Sequence, residues 1–281
     1  MTAFRLIVMP YELGRLRDGV GRGPERLLEA GAADALGSGG ATVETETLLF
    51  EGRFSSEVNT SFDLMSQVSA RVRAAREDDA FPVVLSGSCF AAVGVTAGLD
   101  EPTPGVVWLD AHADFNTPDS TVFGYFDGMG LAILTGGAWR SMRAALPGAG
   151  PVREEAVVLA GARDIDENER VRLSESSITH VPPEQLTSAG PLLEAMETIE
   201  PSGVYLHVDL DVLDPEDARV NVYSAPGGVR AAQLEAIVGE LLERLPVRAL
   251  SLTAYDPEAD ADGRVPPIAL GLLRRLAAAR G

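Results

Sequence analysis

Short runs rich in Val and Leu alternate along this chain with stretches of helical spacing, and no other feature narrows the fold as much. The runs at 4–9 (FRLIVM), 81–87 (FPVVLSG), 105–111 (GVVWLDA), 156–161 (AVVLAG), 203–211 (GVYLHVDLD) and 247–255 (VRALSLTAY) read as strands. The segments at 23–36, 62–78, 89–99, 231–245 and 266–280 read as helices, the first of them opened by Gly and Pro. Strands this apolar need both faces covered, so the alternation implies an α/β fold with a parallel sheet between helical layers. The 281 residues, 46% of them hydrophobic, suffice for a substantial core in one large domain or two small ones.

The formal net charge is −19. Phosphate binding needs a basic surface, so no nucleic-acid partner is expected. Metal cations and cationic small molecules suit such a chain, and so does plain solubility. All 23 basic residues are Arg, which excludes a Schiff-base lysine, a pyridoxal phosphate enzyme and a P-loop lysine. Imidazole chemistry is limited to His112, His180 and His207. The single Cys offers no disulfide framework and fits a reducing compartment. No run reaches the roughly 18 apolar residues of a membrane span, and the N-terminal apolar run is too short for a secretory segment. A cytoplasmic protein with no membrane partner is expected.

In an open parallel sheet, ligands bind at the carboxyl ends of strands. Two acidic clusters fall at such ends: Asp110, His112 and Asp114 after GVVWL, and Asp209, Asp211 and Asp214 after GVYLHV. Residues two apart in an extended segment share a face, so Asp110, His112 and Asp114 are expected to converge, as are Asp209 and Asp211. A lone Asp-x-Asp at a strand end serves as readily for a cap or turn. Two clusters on separate apolar strands, one containing His, point instead to divalent cations that relieve the repulsion. Carboxylate with imidazole suits Mn²⁺, Fe²⁺ or Zn²⁺, and two such ions would acidify a water between them.

GVVWLDAHADFNTP and YLHVDLDVLDP resemble the two signature segments of the arginase–agmatinase (ureohydrolase) superfamily. DGVGRGPERLLEAG, VVLSGSCFAAVG, DGMGLA, AGARDID and SAPGG fall in that family's order. The resemblance implies a single three-layer α/β/α domain over 1–281, arginase-like, with a mainly parallel central sheet. It also implies two divalent ions, Mn²⁺ by family, that share a hydroxide, and a homo-oligomer, trimer or hexamer. Carried over by position, Asp110 and Asp209 would bridge the ions, His112 and Asp211 would ligate one, and Asp114 the other. Asn116 and Asp166 match positions that hold the amino-acid end and the amine of a substrate. Asp214 matches the last acid of its motif, with a supporting or turn role.

Four departures bear on the substrate. Cys89 stands where the family has a His ligand; a thiolate would favour Zn²⁺ or Fe²⁺ over Mn²⁺, and otherwise Cys89 is a small buried residue beside a weak metal position. Asp127 replaces the usual His of the HGM segment. It is assigned a catalytic role with Asp114, as a proton carrier, although it also suits binding a cationic group or capping a helix. The Glu that grips a guanidinium falls near Ala254, so Asp256, Glu258 or Asp127 would have to substitute. Phe123 and Tyr125 imply a bulkier, less polar substrate pocket, or else pack. His207 shares a strand with the ligands but one layer deeper, where a hydrogen bond to a ligand is expected; His180 reads as structural or surface. The chain is therefore expected to be a metal-dependent hydrolase of a non-peptide carbon–nitrogen bond in a small-molecule substrate of amidine, modified-guanidine or formimino type. Its alternatives are a catalytically inactive binding or assembly protein, and a relative hydrolysing another amide, ester or lactam.

Overall fold

The structure, a computed structural model, describes residues 2–50 and 52–281. Its strands are β1 (Ala3–Met9), β2 (Tyr11–Glu12), β3 (Arg15–Leu16), β4 (Thr42–Thr47), β5 (Phe81–Ser86), β6 (Pro104–Leu109), β7 (Val157–Ala160), β8 (Thr179–Val181), β9 (Gly203–Asp209) and β10 (Val247–Thr253). Its helices are α1 (Gly23–Glu29), α2 (Ala32–Gly37), α3 (Glu57–Glu77), α4 (Ala91–Leu99), α5 (Gly130–Leu134), α6 (Arg140–Ala145), α7 (Glu167–Glu175), α8 (Gly190–Ile199), α9 (Ala231–Arg244) and α10 (Val265–Arg280).

Eight strands form one sheet in the order β4-β1-β5-β10-β9-β6-β7-β8, and every pairing in it is parallel. The period of two along each strand divides the core. Leu6, Val83, Leu85, Val107 and Leu109 face a layer carrying α1, α2, α8, α9 and α10; Ile7, Val84, Val106 and Trp108 face α3, α4 and α5. This is the expected three-layer α/β/α architecture.

Several boundaries differ from the sequence reading. The helix expected over 23–36 is two, because the chain bends at Gly31, whose φ of 105° suits only glycine. The helix expected from 62 starts at Glu57, with the Ser56 side chain accepting the Asn59 amide. The edge strands escape the apolar pattern: Thr and Glu dominate β4, and β8 is only the three residues Thr179, His180 and Val181. No helix among the described residues is long and apolar enough to cross a membrane.

The chain leaves the sheet at β5 and re-enters at β6, on the far side of β9 and β10, which it adds last. That reversal opens a crevice over the carboxyl ends of the four central strands.

Candidate metal centre

β6 ends at Leu109 and β9 at Asp209, so both acidic clusters lie largely beyond the strands. The pleat therefore does not align them, which corrects the reason given from sequence. Local turns do the work. Asp110 Oδ1 accepts the amide of His112 at 2.8 Å, and Asp209 Oδ1 accepts that of Asp211 at 2.8 Å. Asp114 adopts φ 48°, a left-handed conformation uncommon for a side chain and often retained at functional sites. Its carbonyl accepts the amides of Leu131 and Ala132, which seats α5 against the loop.

The crevice, about 720 Å³, is lined by Cys89, His112, Asp114, Asn116, Phe123, Tyr125, Asp127, Asp166, Asp209 and Asp211, among others. Every residue assigned from sequence to metal, catalysis or substrate thus lines this crevice except Asp110, which is buried; Asp214, Asp256, Glu258, His180 and His207 are not among the lining residues. His112 Nδ1 sits 3.4 Å from Asp110 Oδ1 and 3.5 Å from Asp211 Oδ2. Trp108 Nε1 donates to Asp110 at 2.9 Å, and Asn221 Nδ2 donates to Asp211 at 3.0 Å. Cys89 Sγ lies 2.9 Å from Asp209 Oδ2 and 3.2 Å from Thr253 Oγ1.

Burial, then mutual repulsion, raises the carboxyl groups of Asp114 and Asp209, and burial raises Asp110. Burial opposes a charge on His112, but Asp211 and then Asp110 override it and hold the imidazole at about 10. One imidazolium among four buried carboxylates leaves negative charge uncompensated, and divalent cations fit that donor set. The ligand atoms of Asp110, His112 and Asp211 lie within 4.8 Å of one another, as do those of Cys89, Asp110 and His207.

Asp127 opens a short 3-10 turn before α5 and spends both oxygens on the loop that carries Cys89. Burial lifts its carboxyl to about 7, against the amides of Phe90 and Cys89. Of the three roles read from sequence, anchoring a helix start is therefore realised at the entry to α4. The same loop passes so close to β2 that a Cβ on Gly87 would overlap the Tyr11 carbonyl oxygen.

Asn116 Nδ2 donates to Asp166 Oδ2 at 2.9 Å, while Asp166 Oδ1 caps α7 through the Glu169 amide at 2.9 Å. Phe123 stands 91% exposed at the crevice mouth, so it is not a packing residue. Tyr125 packs on Tyr223 with ring centroids 5.5 Å apart and donates to Glu12. Asp256 and Glu258 both pair with Arg22 and are not among the crevice-lining residues, so neither replaces the Glu missing at Ala254. Asp214 accepts the amides of Glu216, Gly227 and Gly228, a turn role. His180 contacts only the Ala162 carbonyl among its described polar neighbours.

Three residues escaped the sequence reading. Glu169 lines the crevice, accepts the Phe115 amide at 2.8 Å and is lifted by burial to about 7. Its place three residues after Asp166 signals a capping box, yet it turns instead to a residue 54 positions away. Asn221 Nδ2 ties Asp211 to the Ala254 carbonyl at 2.9 Å. Arg163 gathers the carbonyls of Asp211, Leu213 and Ala225 and so fixes the loop after β9. No local pattern announces the last two.

A family model described as the arginase family matches residues 2–278. An arginase of Bacillus subtilis is 32% identical over 227 residues, 76% of this chain and 76% of that protein. An N(omega)-hydroxy-L-arginine amidinohydrolase of Streptomyces lavendulae is 32% identical over 163 residues, 57% of this chain and 55% of that protein. A crystal structure of the B. subtilis arginase superposes with a TM-score of 0.90 at 28% identity, over 99% of this chain and 98% of that one.

Proposed function

Because the chain belongs to the arginase family, we propose that it is a metal-dependent ureohydrolase whose substrate is a modified, less basic guanidine of the N-hydroxyguanidine type rather than free arginine. The observation that carries the choice of substrate is Ala254. It borders the crevice with only a methyl group where guanidine-hydrolysing members place a Glu; Asp256 and Glu258 pair with Arg22 instead, and both oxygens of Asp127 are taken by the Cys89 and Phe90 amides. A hydroxyl on the guanidine withdraws electrons and lowers its basicity, so the loss of a carboxylate partner costs such a substrate less. The likeness to an N(omega)-hydroxy-L-arginine amidinohydrolase supports the same choice.

Asp110, His112, Asp114, Asp209, Asp211 and Cys89 would hold two divalent ions. Bound there, the ions would supply Lewis acidity and an acidified water as nucleophile. Asp166, steadied by Asn116, offers a carboxylate to the substrate amine at the crevice rim. Asp127, poised near neutrality, hands a proton to the leaving amine while its amide contacts keep it in place. Phe123, Tyr125 and Tyr223 form an apolar mouth that restricts water.

The test is release of hydroxyurea from Nω-hydroxy-L-arginine against release of urea from L-arginine. A kcat/KM at least about tenfold higher on the hydroxylated substrate is expected. Equal or faster turnover of arginine would overturn the assignment.

A further inference from the structure

His207 is fully buried in β9, yet its Nε2 has no hydrogen-bond partner among the described residues. Its other nitrogen is committed. Nδ1 lies 3.0 Å from the Tyr205 hydroxyl, which itself donates to Ser251 Oγ at 2.8 Å. A phenol has one proton; with that proton given to Ser251, the Tyr205 oxygen accepts, so Nδ1 carries the imidazole hydrogen and Nε2 presents a bare lone pair. The ring is locked by stacking on Trp108, with centroids 3.8 Å apart and planes 24° from parallel. The same Trp108 holds Asp110 through its indole nitrogen. A ring nitrogen of His207, Cys89 Sγ and a carboxylate oxygen of Asp110 lie within 4.8 Å of one another.

A buried acceptor left unpaired is destabilising. A cation is the partner that satisfies an imidazole lone pair, a thiolate and a carboxylate together. Tyr205 meanwhile orients the imidazole from its outer nitrogen, as partners of metal-bound histidines do. We propose that His207 is a metal ligand, completing with Cys89 and Asp110 an inner position for a borderline-soft divalent ion of the zinc type. Asp110 is then shared with the outer position of His112 and Asp211. The imidazole absent from the Gly87–Phe90 loop is in this way returned by β9, two strands along the sheet from β5. A thiolate–imidazole–carboxylate set ranks Zn²⁺ above Mn²⁺, whereas the oxygen-rich outer set accepts either. The inference rests on the reading that the crevice holds divalent metal.

The test uses the full chain stripped with chelator and titrated with Zn²⁺ or Co²⁺ alone. X-ray absorption at one equivalent of Zn²⁺ is expected to show one sulfur at about 2.3 Å together with imidazole scattering. The same equivalent of Co²⁺ is expected to give a thiolate-to-metal charge-transfer band in the near ultraviolet. H207A and H207Q are each expected to lose one of two equivalents and to reduce the imidazole contribution, and C89S to lose the sulfur and the band. The wild-type spectra stand without any variant, so a misfolded mutant leaves the inference testable. Metal bound only through oxygen and nitrogen, or unchanged stoichiometry in both His207 variants, overturns the inference and leaves the hydrolase reading intact. No metal bound under any condition overturns both.

Discussion

Asp127 and Cys89 are joined through the backbone: Asp127 Oδ2 accepts the Cys89 amide at 3.2 Å while Oδ1 accepts that of Phe90 at 3.1 Å. A single carboxylate thus orients the loop bearing the thiol and also lines the crevice, where the proposed reaction would draw a proton from it. Its two duties are separable. Asp127→Asn keeps one acceptor for the loop but cannot ionise. Metal content is expected to stay unchanged while kcat falls roughly 10²–10⁴-fold. Because burial raises this carboxyl to about 7, the donor form exists below that pH, and wild-type activity is expected to decline as pH rises through it. The pH–rate profile of Asp127→Asn is expected to lack that limb; its survival would remove Asp127 as the acid.

Ala254 sits at φ 62° with its amide on the Ser86 carbonyl and its own carbonyl on Asn221. The strain of that conformation is already present, so Ala254→Glu adds a carboxylate without a new backbone demand. A hydrogen bond to a charged group contributes about 1.5–3 kcal/mol, or roughly 10–100-fold in kcat/KM. Steady-state kinetics are expected to show that gain for arginine and little for a neutral amidine. An equal change for both substrates would mean the side chain points elsewhere.

His112 bridges Asp110 and Asp211. His112→Ala is expected to release metal and abolish turnover, read by elemental analysis after dialysis. Metal bound only by the folded chain stabilises it by about 2.7 kcal/mol at about 100 times its Kd, worth roughly 5 °C in Tm for a chain of 281 residues. Chelator is expected to lower the Tm of the wild type by that amount and that of His112→Ala by much less.

Glu169 supplies a pH-dependent stability term. Its carboxyl is raised by burial to about 7, while the unfolded chain titrates near about 4.3. A raised carboxyl favours the folded state fully below the unfolded value, and that contribution is lost as pH rises through the folded value. Glu169→Gln keeps an acceptor for the Phe115 amide without ionising. Wild type is therefore expected to lose stability relative to Glu169→Gln between pH 4.5 and 8.5, by on the order of 3 kcal/mol. Denaturant melts of both proteins at the two pH values check this; a constant difference would mean the carboxyl titrates normally.

Much of the fold was legible in the chain because buried parallel strands must be apolar throughout, as in FPVVLS and GVVWL, and helices between them must show a stripe. The edge strand TVETET was not legible, since an edge carries polar residues that resemble a loop. At the candidate site, Asp110, His112 and Asp114 stood out because acids clustered at the end of an apolar run are conspicuous. Glu169 and Asn221 did not, because each acts on a residue that only the folded chain brings near.

The succession of strands and helices along the chain, the two acidic clusters and the chemical types of their side chains were determined by the sequence itself, through local periodicity and the cost of burying like charges. Tertiary structure alone decided that Asp127 grips the Cys89 loop, that Asp256 and Glu258 pair with Arg22 rather than line the crevice beside Ala254, and that His207 Nε2 has no hydrogen-bond partner among the described residues. These are contacts between segments distant in the chain, 38 positions apart for Asp127 and Cys89, and most of them lie in the loops beyond the strand ends. Their geometry follows from which strands pair and in what register, which no local run of residues specifies.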